Sequence, residues 1–243
     1  QLILHMNINI KLFLAIIYIL CLGTLLFFVF KYLDVKELNN FLYIKENSKI
    51  LLDYKNNNFF LFTIIFFIFS VFWVLMLGFG SPIAILTGFI FGQWVGTFLS
   101  VLAFTLGSSL LYLLANYYFS DFIIKKFSNK VEKYKKHFNK NEFFYFMIFR
   151  FTGGGGIPFA IQNVLPVIFN MKLKNYFYST LIGLIPTLFI VNVLGAGIES
   201  IINNNEEINY IEIVLSPEIY KPMLGFLVIL IASFFARRTF FNK

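Results

Sequence analysis

Helix-breaking residues recur in register inside sequence that is otherwise almost uniformly apolar. Residues 78–85 read Gly-Phe-Gly-Ser-Pro-Ile-Ala-Ile and residues 154–161 read Gly-Gly-Gly-Ile-Pro-Phe-Ala-Ile. Gly78, Gly80, Pro82, Ala84 and Ile85 therefore stand 76 residues before Gly154, Gly156, Pro158, Ala160 and Ile161, and Gly107 stands at the same offset from Gly183. Glycine removes side-chain restraint on the backbone and proline removes an amide donor, so each cluster ends one helix and starts another. Duplicated breaks in apolar sequence are how transporters build a mid-membrane site from internal repeats.

Composition fixes the surrounding solvent. The chain is 59% apolar and 13% charged, against about 25% charged in soluble domains, and its mean hydropathy is +0.78. This is the profile of an integral membrane protein. Its 35 Phe accompany a composition rich in Ile, Asn and Lys and carry no functional weight here. The net charge of +8 is spread between apolar segments, where topology signals belong, and forms no basic face for nucleic acid. Cys21 is the only cysteine, which excludes an internal disulfide and a thiolate metal cluster. His5 and His137 both lie outside the apolar segments and no acid pair or activated nucleophile approaches the breaks, so neither an enzyme nor a metal or cofactor site is expected.

Along the chain, residues 12–30 form an uncharged run of 19, long enough to span, and the Lys-Tyr-Leu-Asp after it offers no small-residue cleavage site. Residues 1–30 are expected as an uncleaved transmembrane anchor; Gln1 cannot initiate translation, which leaves Met6 as a candidate start. Residues 31–58 carry five Lys against four acids, with Val35, Leu38, Phe41 and Leu42 at helical spacing: an external linker, either an amphipathic surface helix or a plain connector. From Phe59 to Ser120 there is no Asp, Glu, Lys or Arg. The first repeat is placed at 59–119, as a hairpin over 59–95 and a long helix over 96–119. A basic loop follows at 120–142. The second repeat is placed at 143–197, as a hairpin over 143–170 and a helix over 174–197. An acidic external loop, 198–221, and a C-terminal transmembrane helix with a basic tail, 222–243, complete an all-α fold.

The short helices set the architecture. About 12 residues cover ~18 Å where the hydrocarbon core needs ~30 Å, so these segments are expected to be re-entrant. Charge then arbitrates sidedness: residues 121–142 hold seven Lys against three acids, whereas 199–221 hold five Glu against one Lys. Placing the first loop and both termini in the cytoplasm and the acidic loop outside makes one hairpin enter from each face. The expectation is two inverted repeats whose tips meet near mid-membrane.

Non-helical backbone survives at that depth only where protein or a water-filled cavity surrounds it. Pro82 and Pro158 suit the first turn of their short helices, and free amides at those helix starts would attract an anion. Arg150 is the only charged residue within the two hairpins, 59–95 and 143–170. Such a charge costs roughly 2.5–3.5 kcal/mol to insert, so it must be paired or face water; a phosphate, loop carbonyls or Glu142 could each serve as partner. The candidate substrate-binding set is Arg150 with Gly80, Ser81 and Pro82 of the first tip and Gly154, Gly155, Gly156, Pro158, Gln162 and Asn163 of the second. The basic loop, with Phe127, Tyr134 and Phe138 between its lysines, is read as an orientation signal or a contact for anionic lipid.

Phe149-Arg150, the Gly/Pro break, Pro158-Phe159, Asn163, and then Gly183 and Pro186 resemble the second half of the DedA or SNARE-associated (VTT domain) membrane protein superfamily. Gly80-Ser81-Pro82 through Gly88, Phe91-Gly92 and Gly96 to Gly107 resemble its first half. The likeness covers about residues 59–200. It implies two facing re-entrant hairpins and lipid translocation, either scrambling of phospholipids or flipping of a polyprenyl phosphate or phosphatidylethanolamine. The chain departs from the pattern twice. Gly153 stands where many members have proline, and no acidic residue lies between Asp53 and Asp121 or between Glu142 and Glu199, as carboxylate-mediated proton coupling would require. Energy-independent scrambling, or coupling by a route other than an intramembrane carboxylate, fits these residues better.

The expected function is a lipid flippase or scramblase that recognises a phosphate headgroup, on a phospholipid or a polyprenyl phosphate. A small-anion or solute transporter and a non-transporting scaffold are the alternatives. The expected location is a membrane, with a bacterial cytoplasmic membrane favoured, and the sequence is compatible with an oligomer.

Overall fold

The computed structural model describes residues 16–24, 27, 31, 41–77, 80–203, 220 and 224; the side chains of 41–44, 119, 121–134, 136, 137 and 201 lie outside that description. Most of the expected N-terminal anchor, Gly78, Phe79, the acidic loop beyond residue 203 and nearly all of the C-terminal helix therefore fall outside it. Every regular element among the described residues is helical: α1 Phe41–Asn57, α2 Phe59–Leu77, α3 Ser81–Lys140, α4 Glu142–Phe151, α5 Phe159–Val164, α6 Leu173–Gly183 and α7 Ile185–Asn203, with 3₁₀ turns at Gly153–Gly156 and Leu165–Val167.

Membrane character is visible in individual helices. Phe59–Met76 and Ser81–Tyr118 are long and apolar enough to cross a bilayer, and α6 with α7 passes the same test as one bent unit. The hydroxyls within α2 are satisfied inside the helix: Thr63 donates to the Phe59 carbonyl at 2.6 Å and the buried Ser70 to that of Phe66 at 2.8 Å, as polar groups away from water must be. Residues 16–24 are helical, and the Tyr18 hydroxyl donates to the Met76 carbonyl at 2.8 Å. That bond occupies one of the carbonyls left open where α2 ends.

Gly80 precedes α3 and Pro82 sits in its first turn, where the missing amide costs nothing. Gly92, with φ 76° and ψ 176°, interrupts the helix. The backbone then runs helically to Lys140, which corrects both the expected end at residue 119 and the expected loop at 120–142. Residues 121–140 contain neither glycine nor proline, so once the apolar helix is nucleated each further residue adds a hydrogen bond. On its other side the short segment before Gly92 is held by α1. Leu51 and Leu52 pack on the Phe89, Ile90, Phe91 and Ile202 cluster, and Lys55 Nζ donates to the Ile90 carbonyl at 3.0 Å.

A second correction concerns residues 174–197. In place of one helix there are two, α6 and α7, bent by 42°. Pro186 explains the bend, since its ring cannot donate to the carbonyl four residues back and crowds it.

Close helix crossings position the remainder. A Cβ on Gly88 would run into the backbone of Asn192, and one on Gly195 into the Ile85 carbonyl, so α3 and α7 touch backbone to backbone. The repeated pair Gly107 and Gly183 does one job twice. A Cβ at Gly107 would lie 2.7 Å from the Val71 carbonyl and 2.8 Å from Val74 Cβ; at Gly183 it would lie 2.7 Å from the Met147 carbonyl and 2.6 Å from Arg150 Cβ. Val71 and Val74 precede Met147 and Arg150 by the same 76 residues. These crossings press α3 on α2 and α6 on α4.

Candidate functional site

Arg150 occupies the last turn of α4 and is wholly buried. Nη1 donates to Gln162 Oε1 at 3.1 Å, and Nη2 donates to Tyr176 Oη at 3.0 Å and to Asn163 Oδ1. The guanidinium carbon lies 4.9 Å from the ring centres of both Phe146 and Phe159 and 5.8 Å from that of Tyr176. Charge-assisted hydrogen bonds are worth about 1.5–3 kcal/mol each and a desolvated cation–π contact up to about 2. Three such bonds and the aromatic faces together offset the insertion cost. The partners are all neutral, however, and Nε has no partner among the described residues. The cation is held in place without being neutralised.

Glu142, one of the partners considered for Arg150, is engaged elsewhere. Its carboxylate accepts from the Lys172 amide at 3.2 Å and from Asn175 Nδ2 at 2.6 Å, at the start of α6. Loop carbonyls do not take the guanidinium either; side-chain amides and a phenol do.

The second tip is a left-handed turn. Gly153, Gly154, Gly155 and Gly156 have φ of 71°, 73°, 61° and 81°, a region that costs other residues about 1–2 kcal/mol each. Proline, fixed near φ −65°, cannot occupy Gly153 in this geometry. Four consecutive glycines thus give the break a left-handed backbone that proline could not enter at its first position. Pro158 stands just before α5, in extended backbone with ψ 139°, and not inside its first turn as expected. Because α5 has only six residues, its dipole is small and Arg150 is the charge that matters.

The two breaks line one cavity of about 300 Å³. Gly80, Ser81 and Ala84 contribute from the first, Gly153, Gly156, Ile157, Pro158 and Phe159 from the second, with Arg150 and Gln162 between them; Phe104, Leu184, Thr187, Leu188 and Val191 complete the wall. Ser81, Gly153, Gly156 and Pro158 are exposed, whereas Ala84, Phe104, Arg150 and Leu188 are buried. One wall thus carries a cation and an amide and the rest is largely hydrocarbon. Of the residues singled out from sequence, Gly80, Ser81, Arg150, Gly156, Pro158 and Gln162 line this space. Pro82, Gly154, Gly155 and Asn163 do not: Gly154 packs behind the Gln162 amide and Asn163 holds the far side of the guanidinium.

Sequence reasoning missed the aromatic cage. Phe146 lies one turn before Arg150 on the same helix face, a usable signal. Tyr176 is 26 residues away and gave none; it is stacked on Tyr112 at 4.6 Å and on Phe146 at 5.2 Å. Among the described residues no group of three His, Cys, Asp or Glu is placed to hold a metal.

The sequence has relatives among known proteins. Residues 79–197 match the VTT domain. The chain is 32% identical over 120 residues to the uncharacterized protein YqeD of Bacillus subtilis, a stretch covering 49% of this chain and 57% of that protein. It is 24% identical over 178 residues to the Transmembrane protein 41 homolog of Caenorhabditis elegans, covering 70% of each. No solved structure matches.

Proposed function

From the premise that the chain is a VTT-domain membrane protein, we propose that it moves a phosphate-bearing lipid, a phospholipid or a polyprenyl phosphate, between leaflets. The observation that carries this reading is Arg150: a fully buried cation with neutral partners, at the base of a cavity shared by both breaks. A phosphate about 4 Å away gains on the order of 4 kcal/mol at an effective dielectric of 20. The apolar remainder of the wall suits the hydrocarbon that follows a headgroup and offers little to a fully hydrated ion. In this reading the two breaks are the tips of re-entrant hairpins of opposite orientation. The tips shelter the headgroup while the acyl or prenyl chains stay in the bilayer.

With no acidic residue between Glu142 and Glu199 or between Asp53 and Asp121, the reading favours exchange down a gradient over proton-driven flipping. The basic end of α3, 121–140, would meet anionic headgroups on the cytoplasmic face of a bacterial inner membrane and gather substrate there. Purified protein in vesicles carrying a fluorescent phospholipid tests the proposal. Wild type accelerates leaflet exchange, and Arg150→Ala slows it at least about tenfold, the loss of one charge-assisted contact. Equal exchange by the two proteins would remove the arginine from the mechanism, and uptake of free phosphate without lipid exchange would reassign the cavity to a soluble anion.

A further inference from the structure

We infer that Gln162 is a positioning residue that ties the occupancy of Arg150 to the shape of the second tip, a role that builds on the headgroup reading above. Its side chain holds three groups at once. The amide oxygen accepts from Arg150 Nη1 at 3.1 Å, and the amide nitrogen donates to the Ile157 carbonyl at 2.6 Å and to that of Gly153 at 3.3 Å. Gly153 opens the left-handed turn and Ile157 follows its last glycine. One carboxamide therefore staples both ends of the turn to the guanidinium.

The site around the amide is built for that position. Gln162 is 5% exposed, so water cannot readily replace a lost partner, and a buried polar group left unpaired is disfavoured. Gly154 packs directly on the carboxamide, and any Cβ there would overlap its carbon and nitrogen. Glycine at this position is thus required twice, by φ and by Gln162.

Access to the cation leads through the same side chain. Arg150 has no exposed surface, so an anion in the cavity reaches it only if a neighbour moves. Of its three hydrogen-bond partners, Asn163 and Tyr176 do not line the cavity and Gln162 does. A phosphate brings a full opposite charge and can take the guanidinium bidentately, whereas the neutral amide oxygen makes one bond to a single N–H. It therefore displaces Gln162 Oε1. The carboxamide turns, its nitrogen leaves the Gly153 and Ile157 carbonyls, and the glycine turn, which has no side chains of its own to hold it, is released. Headgroup binding and tip opening become one event, without a titrating carboxylate.

The test uses the full chain with Cys21→Ser and Ile157→Cys, in micelles free of anionic lipid, and follows maleimide labelling at position 157. With Gln162 in place labelling is slow, and short-chain phosphatidic acid accelerates it about tenfold, the factor for one net hydrogen bond. Gln162→Ala labels fast from the start and gains nothing further from phosphatidic acid. Gly154→Ala behaves like Gln162→Ala although the glutamine is present, and it carries the test should the alanine variant at 162 fail to assemble. Gln162→Glu, whose carboxylate pairs with the guanidinium, ignores phosphatidic acid. Equal labelling with and without the Gln162 amide, or acceleration by phosphatidic acid that survives in Gln162→Ala, overturns the staple. If wild type exchanges no lipid in vesicles while Gln162→Ala still labels faster, the staple stands and the lipid-transfer reading falls.

Discussion

Gly80 and Gly156 hold equivalent places in the two breaks, yet glycine is needed at each for a different reason. Gly80 has φ −94°, which any residue adopts, but a Cβ there would lie 2.7 Å from Phe104 Cε2. Gly156 has open space around its Cα and φ 81°, which side chains resist. Close packing shapes the first tip, and backbone handedness the second. The same contrast holds in the arms before the breaks. Val74 and Arg150 are equivalent and both have no exposed surface. Val74 packs in an apolar cluster with Ile83, Ala84, Phe104, Leu184 and Leu188, while Arg150 has its amides, phenol and aromatic rings. Equivalent positions in the repeated sequence thus share close packing, and only the second carries a charge with polar partners.

Moving the charge to the other copy is the harshest way to break that comparison. Val74→Arg buries a guanidinium among hydrocarbon with no acceptor prepared for it. It should cost more than about 3 kcal/mol, seen as loss of monodisperse protein on size exclusion in detergent; a well-behaved variant would show that the first arm also has polar support.

Gly107→Ala and Gly183→Ala come next. Each pushes a methyl group against an equivalent helix, and each should destabilise by roughly 1–3 kcal/mol, the range for overpacking. Only Gly183→Ala displaces Arg150. The two variants should melt alike, with lipid exchange per folded molecule falling several-fold in Gly183→Ala alone. Parallel losses of exchange would mean that the crossing, and not the cation, sets the rate.

The smallest effects separate packing from handedness. Gly80→Ala should lower stability by about 1 kcal/mol and be rescued by Phe104→Leu, because trimming the ring removes the clash. Gly155→Ala, with φ 61° and nothing within 4 Å, should cost about 1–2 kcal/mol and be insensitive to every neighbouring side chain. Thermal unfolding of the four proteins decides, and rescue of Gly155→Ala by a side-chain truncation would contradict the handedness argument.

Several features were legible without coordinates because they rest on local backbone chemistry. Gly80 and Pro82 mark the start of α3, Gly92 interrupts it, and the glycine run ends α4. Arg150 was legible too, since a lone charge in apolar sequence is conspicuous at any resolution. Less so was the length of α3: the lysines after residue 119 read as a loop by charge, but charge does not stop a helix in the absence of glycine or proline. The bend between α6 and α7 was hidden for a related reason, as Pro186 within an apolar run signals a kink without giving its angle.

The sequence by itself determined an apolar chain, the duplicated breaks and a lone charge on the arm before the second break, because composition and the special backbones of glycine and proline act within a few residues. Tertiary structure alone decided what that cation touches. Tyr176 comes to Arg150 through the Gly183 crossing, Phe104 lies between Gly80 and Phe159, and Gln162 folds back under Gly154. Those contacts depend on how rigid helices pack across tens of residues, and local propensity carries no information about that distance.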